Sequence, residues 1–169
     1  MAVDTEREEL ITMLASQREL FRITLRGIED DQARQRTTVS ELTLGGLLNH
    51  VVNVERHWCT VIVEQDETAK FDVSRMDSEY RLGPEQTVAE LLAGWEEVAL
   101  ETTKLIRDLD SLDTAIPLPT APWAPERQWW TVRFTLLHIL REIAHHSGHA
   151  DIIRESLDGA NTTYQRASQ

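Results

Sequence analysis

Apolar residues return along this chain with a period near 3.6 in four stretches, and each stretch carries its own start or stop signal. In the first, Leu10, Leu14, Phe21, Leu25 and Ile28 follow Thr5-Glu6-Arg7-Glu8, a pattern in which a threonine and a glutamate three residues on satisfy each other's backbone donors. This predicts a helix over about residues 5–28. Gln17 and Thr24 share its inward stripe and are expected to hydrogen-bond in the core. In the second, Thr43 is a candidate N-cap for a stripe of Leu44, Leu47, Leu48, Val51, Val54, Trp58 and Ile62, a helix over about 43–66. Gly45 and Gly46 in its first turn cost roughly 1 kcal/mol each in helix propensity. They make sense if another backbone packs closely there. In the third, Thr87-Val88-Ala89-Glu90 repeats the capping pattern ahead of Leu91, Leu92, Trp95, Val98, Thr102, Leu105, Ile106 and Leu109. The fourth runs from Thr131 to Arg154.

Between these stretches the periodicity is lost. Residues 29–36 are charged and predict a short surface turn of helix. Residues 67–86 end at Gly83-Pro84, and so long a link lets the second and third helices lie parallel as neighbours. Residues 110–130 hold four of the five prolines and the Trp129-Trp130 pair, and are expected to form a loop covering a site on the fourth helix. The polar tail after Asp158-Gly159 is expected to fray. Four amphipathic helices without a convincing strand predict an all-α four-helix bundle with a long crossover connection between helices two and three. A single domain with its core over about residues 5–158 is expected.

Composition narrows the function. The chain of 169 residues has a formal net charge of −12 and a pI near 4.9, which argues against binding nucleic acid or an anionic membrane surface. One cysteine, Cys59, excludes an internal disulfide and fits a reducing compartment. No apolar run approaches membrane-spanning length and no leader pattern stands at the N-terminus, so the expected location is the cytoplasm.

The chemistry concentrates on the fourth helix, which carries four of the six histidines. At about 100° per residue, His138, Glu142, His146, His149 and Ile153 fall within roughly an 80° arc, with His145 at its edge. Phe134, Leu137, Ile139, Leu140, Ile143 and Ile152 flank it. Polar groups on a face bordered by apolar ones are costly unless something binds them. Imidazole and carboxylate at i, i+4 can close on one divalent metal ion. His50 borders the stripe of the second helix and can point into the interior, where bundles hold metals between facing helices. Spacing leaves the pair on the fourth helix open: Glu142 with His146, His145 with His149, and His146 with His149 are all feasible.

Two segments in this order and separation carry a resemblance: LTLGGLLNHVVNVERHW over 42–58 and LLHILREIAHHSGHADIIRE over 136–155. The chain resembles the DinB-like metalloprotein superfamily, and within it the actinobacterial branch of mycothiol-dependent transferases and maleylpyruvate isomerase. The resemblance implies a bundle with a divalent metal, often zinc or nickel, on three protein ligands. These map to His50, Glu142 and His146, with His149 either replacing the carboxylate or contacting bound water or substrate. It also implies a low-molecular-weight thiol of mycothiol type as co-substrate, a small electrophile as acceptor, and often a homodimer. The function expected is thiol S-transfer or isomerisation acting on small electrophiles, with detoxification as its expected role. A metal-binding stress or sensor protein without turnover, and a metal-dependent hydrolase, use the same three ligands and stand as alternatives.

Other residues have plainer readings. Trp58, Trp129 and Trp130 are expected to pack rather than stack on substrate. His57 is expected at the surface, and Glu55 to be solvated or salt-bridged. Cys59 is expected to act as a buried small hydrophobe. Arg141 and Arg154 flank the histidines and are candidate receivers of a substrate carboxylate. The acidic runs at residues 6–9 and 29–31 are expected to be solvated faces.

Overall fold

The computed structural model describes residues 5–167 and is mostly helical. Four long helices carry it: α1 (Thr5–Ile23), α3 (Leu44–Glu64), α5 (Val88–Asp108) and α6 (Val132–Asp158). Short helices α2 (Asp30–Ala33), α4 (Met76–Glu79, entered through a 3-10 turn) and α7 (Thr162–Ala167) lie outside them. α1 and α3 each pack on both α5 and α6, so the contacts close a ring in the order α1, α6, α3, α5. The apolar stripes meet on its axis, where Leu14, Phe21, Leu47, Leu48, Trp95, Ile106, Leu136, Ile139 and Ile143 are fully buried.

Two helices start on the caps the sequence names, and the start of α6 adds one at Thr131, which the sequence reading takes as helical. Thr43 Oγ1 accepts from Gly46 N at 3.1 Å, Thr87 and Glu90 cap reciprocally, and Thr131 Oγ1 accepts from Phe134 N at 3.1 Å. α6 then runs on past Arg154 to Asp158 and stops at Gly159, whose φ of 79° closes the last turn. α1 starts at Thr5 itself, so the residue that would cap it lies outside the described residues. It also ends at Ile23, earlier than the periodicity implies. Thr24 Oγ1 donates to Phe21 O at 2.7 Å and the chain turns through Gly27 at φ 68°. Leu25 and Ile28 stay buried from the turn, which is why their spacing mimics a longer helix.

Two connections depart from expectation. Residues 110–130 contain a short antiparallel pair, β1 (Ala115–Pro117) with β2 (Trp129–Thr131). Strands of this length are too short for alternation to show in a sequence, and Pro117 obscures them further. The tail does not simply fray: α7 is tied to α6 by Thr162, whose N and Oγ1 donate to Asp151 Oδ1 at 2.7 and 2.6 Å. The connection after α3 and the one before α6 are joined to each other. Phe71 N donates to Thr120 O at 2.8 Å and Thr120 N to Ala69 O at 3.1 Å, and Arg127 Nη1 donates to the carbonyls of Ala69 and Leu118. Among the described residues no helix is long and apolar enough to cross a membrane.

Candidate metal centre

α3 and α6 pack side by side, and His50 on one comes to face Glu142 and His146 on the other. Their ligand atoms lie within 4.8 Å of one another. Glu142 Oε2 sits between the two rings, 3.8 Å from His50 Nε2 and 3.6 Å from His146 Nε2. The imidazoles cross edge to face with centroids 4.7 Å apart. Zinc bonds nitrogen and carboxylate oxygen at about 2.0–2.2 Å, so a modest contraction would seat one ion among all three. His50 and His146 are buried and Glu142 is half-buried.

The surroundings suit such an ion. His50 Nδ1 is buried without a hydrogen bond and lies 3.5 Å from Glu79 Oε1. A proton on that nitrogen leaves Nε2 as donor and gives the N–H a carboxylate to approach, the usual arrangement behind a metal-bound histidine. Burial first, and then the neighbouring His50, push the His146 pKa down to about 4. Its ring is therefore neutral near pH 7 and able to donate a lone pair. Burial pulls Glu142 upward, but the Arg141 hydrogen bond and the charges of His138 and His146 outweigh it and lower its pKa. The donor set is thus one carboxylate with nitrogen ligands, chemistry that fits zinc and its neighbours.

His149 lies outside this group. Its Nδ1 stands 3.3 Å from His146 Nδ1, on the side of the ring away from Glu142. One of those nitrogens must donate and the other accept, so His149 is placed to fix the His146 tautomer. His145 is exposed. His138 stacks edge-on against Trp58 and Trp130, at 5.0 and 5.2 Å. Arg141 bridges it to Glu142, with Nη2 at 2.6 Å from His138 Nδ1 and 3.1 Å from Glu142 Oε1.

Tyr80 is the participant that the sequence did not disclose. Its ring stacks on His50 with centroids 4.0 Å apart and planes 19° apart, and its hydroxyl lies 3.1 Å from His50 Nε2. Gly46 makes this possible. A Cβ there would overlap the Tyr80 carbonyl oxygen, so the expected close backbone is the segment that follows α4. Asn49 holds the same segment by donating to the carbonyls of Ser78 and Glu79 at 3.4 and 3.1 Å.

A cavity of about 590 Å³ opens over His50, His138 and Glu142. Residues 118–130 and 70–72 form its outer walls, so the proline-rich loop does cover the site. Trp58 and Trp130 both line it, stacked at 5.2 Å. His57 lines it as well, half-buried against Trp58 rather than out on the surface.

Three other expectations are refined. Of the two readings of Glu55 the salt-bridged one holds: it is fully buried and accepts two bonds from Arg18 (3.1 and 2.6 Å), one from Trp95 Nε1 (2.8 Å) and one from Thr102 Oγ1 (2.7 Å). Arg154 is not available to a substrate, because it is buried and donates to Thr24 O, Arg26 O and Asp158. Asp30 is not merely solvated, since its Oδ1 accepts from Val88 N at 2.7 Å. Cys59 is half-buried against the core rather than fully buried, with its Sγ 3.2 Å from Thr102 Oγ1, and burial raises its thiol to a pKa of about 11.

Residues 9–159 match the family described as mycothiol-S-transferase. A solved structure of a conserved protein from Enterococcus faecalis is similar in fold, with a TM-score of 0.67 at 15% identity, covering 90% of this chain and 97% of that one. No curated protein matches the chain.

Proposed function

The chain belongs to the mycothiol-S-transferase family of DinB-like proteins, and from that premise we propose that it is a metal-dependent thiol transferase of the cytoplasm. In this reading one four-helix bundle domain holds a divalent ion, zinc before nickel, on His50, Glu142 and His146. It joins a low-molecular-weight thiol of mycothiol type to a small electrophile. The observation that carries the reading is the convergence of those three side chains beneath a cavity of about 590 Å³. That volume lies within the usual range for small-molecule sites.

A bound divalent ion supplies positive charge that lowers a thiol's pKa and keeps the sulfur as the nucleophilic thiolate. The chain does the rest. Glu142, steadied by Arg141, and His146, its tautomer fixed by His149, present their lone pairs from one helix face. Trp58 and Trp130 wall the cavity beside His138. With 1-chloro-2,4-dinitrobenzene as acceptor, a C–S bond forms as the C–Cl bond breaks. Chloride leaves with the bonding pair and the thiol proton passes to solvent.

The test is metal content together with thiol consumption. Purified protein should carry an equimolar ion and consume mycothiol with that acceptor, and His50→Ala should lose both. Full occupancy with no thiol consumed across a panel of thiols and acceptors would sink the transferase reading.

A further inference from the structure

Of the four histidines on α6, only His138 lines the cavity, and it stands outside the three-ligand group. It comes one helical turn before Glu142. Its side chain is 11% exposed. The rings of Trp58 and Trp130 meet its own at 88° and 72°, so two indoles hold the imidazole in place.

The hydrogen on that imidazole can be located. Arg141 Nη2 lies 2.6 Å from His138 Nδ1. A guanidinium has donors and no acceptor, so Nδ1 must offer a lone pair. An imidazolium has none to offer. The ring is therefore neutral, with its hydrogen on Nε2. Glu142 Oε1 is 3.6 Å from the same Nδ1 and pulls toward the other tautomer. It lies further off, however, and is itself held by Arg141 Nη2 at 3.1 Å. With Nδ1 committed and the ring set in the cavity wall, the Nε2–H is left to whatever the cavity holds.

Such a donor serves only some of the electrophiles a thiolate attacks. In an alkyl halide the displaced pair leaves with the halide. In an enone or a nitroarene it first moves onto an oxygen, and a fixed N–H beside that oxygen stabilises the transition state. We propose that His138 is a catalytic residue whose Nε2–H donates to the carbonyl or nitro oxygen of the second reactant. The site thereby takes electrophiles that gather charge on oxygen. His138 keeps its hydrogen throughout. As the C–S bond forms, the displaced pair rests on that oxygen. It then returns to expel chloride from 1-chloro-2,4-dinitrobenzene, or the α-carbon of an enone takes a proton from solvent. Arg141 is a positioning residue, acting through the tautomer it imposes. That the second reactant is an electrophile rests on the thiol-transfer reading, whereas the donor is measured without thiol or turnover.

The experiment uses zinc-loaded protein with isotope-labelled histidine, whose nitrogen resonances separate a protonated ring nitrogen from a bare one. His138 should be protonated at Nε2 and bare at Nδ1, and unreactive acetophenone should shift the Nε2–H signal. Calorimetric titration with acetophenone and α-methylstyrene, which exchange an oxygen for a methylene, then reads the hydrogen bond. His138→Leu should weaken the ketone about fivefold relative to the alkene. His138→Gln keeps an N–H donor and should restore most of that preference. In turnover of 1-chloro-2,4-dinitrobenzene, His138→Leu should lower kcat about a hundredfold with a smaller change in KM. The proposal is overturned by a hydrogen on Nδ1, by failure of acetophenone to shift the Nε2–H signal, by a ketone-to-alkene ratio that His138→Leu leaves unchanged, or by His138→Gln behaving as the leucine variant does. The wild-type resonances need no variant, so a leucine variant that fails to fold still leaves the proposal open to refutation. If tautomer and ratio are as expected and no thiol is consumed, the transferase reading alone has failed. If thiol is consumed and the ratio does not respond, only the role of His138 has failed.

Discussion

Burial decides the protonation of His146. Its pKa is pushed down to about 4, below the value near 6.5 expected in an unfolded chain. Between those values the unfolded chain binds more protons than the folded one, so folding stability falls as pH drops through the window. Metal-free protein should therefore lose thermal stability from about pH 6.5 to about pH 4, more steeply than its His146→Gln variant. Equal slopes in a pH series of melting curves would refute this. Glu55 illustrates the opposite case, a charge kept inside by full pairing. Glu55→Ala strands the Arg18 guanidinium and should cost about 3–5 kcal/mol, read by urea unfolding. A loss below about 1 kcal/mol would mean that water reaches the pair. Residues of these two kinds differ in how far the sequence reveals them. His146 stands on a helix with its i−4 partner, so its face follows from counting. Arg18 and Trp95 lie on helices other than that of Glu55, and no local spacing brings them together.

At the scale of elements, two glycines on helices predict opposite outcomes. Gly46→Ala puts a methyl against the Tyr80 carbonyl, and overpacking of this kind costs about 1–3 kcal/mol. It should also weaken zinc binding measured by calorimetry, because Tyr80 would no longer lie flat on His50. Gly148, midway along α6, has nothing within 4 Å of its added Cβ. Gly148→Ala should stabilise by about 0.5–1 kcal/mol through helix propensity. Matching effects at the two sites would show that propensity alone, and not the Tyr80 segment, governs Gly46. The long helices were legible because their caps are chemical and their stripes repeat: Thr43 and Thr87 each accept from the backbone as their spacing implies. The segment around Tyr80 was not. It is aperiodic, and the Gly45-Gly46 pair announces a close neighbour without saying which one.

For the whole molecule, the proposed ion would tie α3 to α6, two helices separated in sequence by α5 and two long connections. Zinc at a hundredfold excess over its dissociation constant should stabilise the protein by about 2.7 kcal/mol. For a chain of this length that is about 5–10 °C in Tm. His50→Ala should abolish the shift, and a chelator should reverse it in the wild type. An equal shift in His50→Ala would place the ion elsewhere.

The ligands of that ion sit on long helices, whereas the outer cavity walls come from residues 70–72 and 118–130. Those walls are stitched to each other by the Phe71 and Thr120 amides. Preference for acceptor shape could thus be transplanted from one member of such a family to another without disturbing the helical frame, provided both segments travel together. A chimaera carrying only one would inherit half a seam, with backbone groups facing a partner they were not shaped to meet.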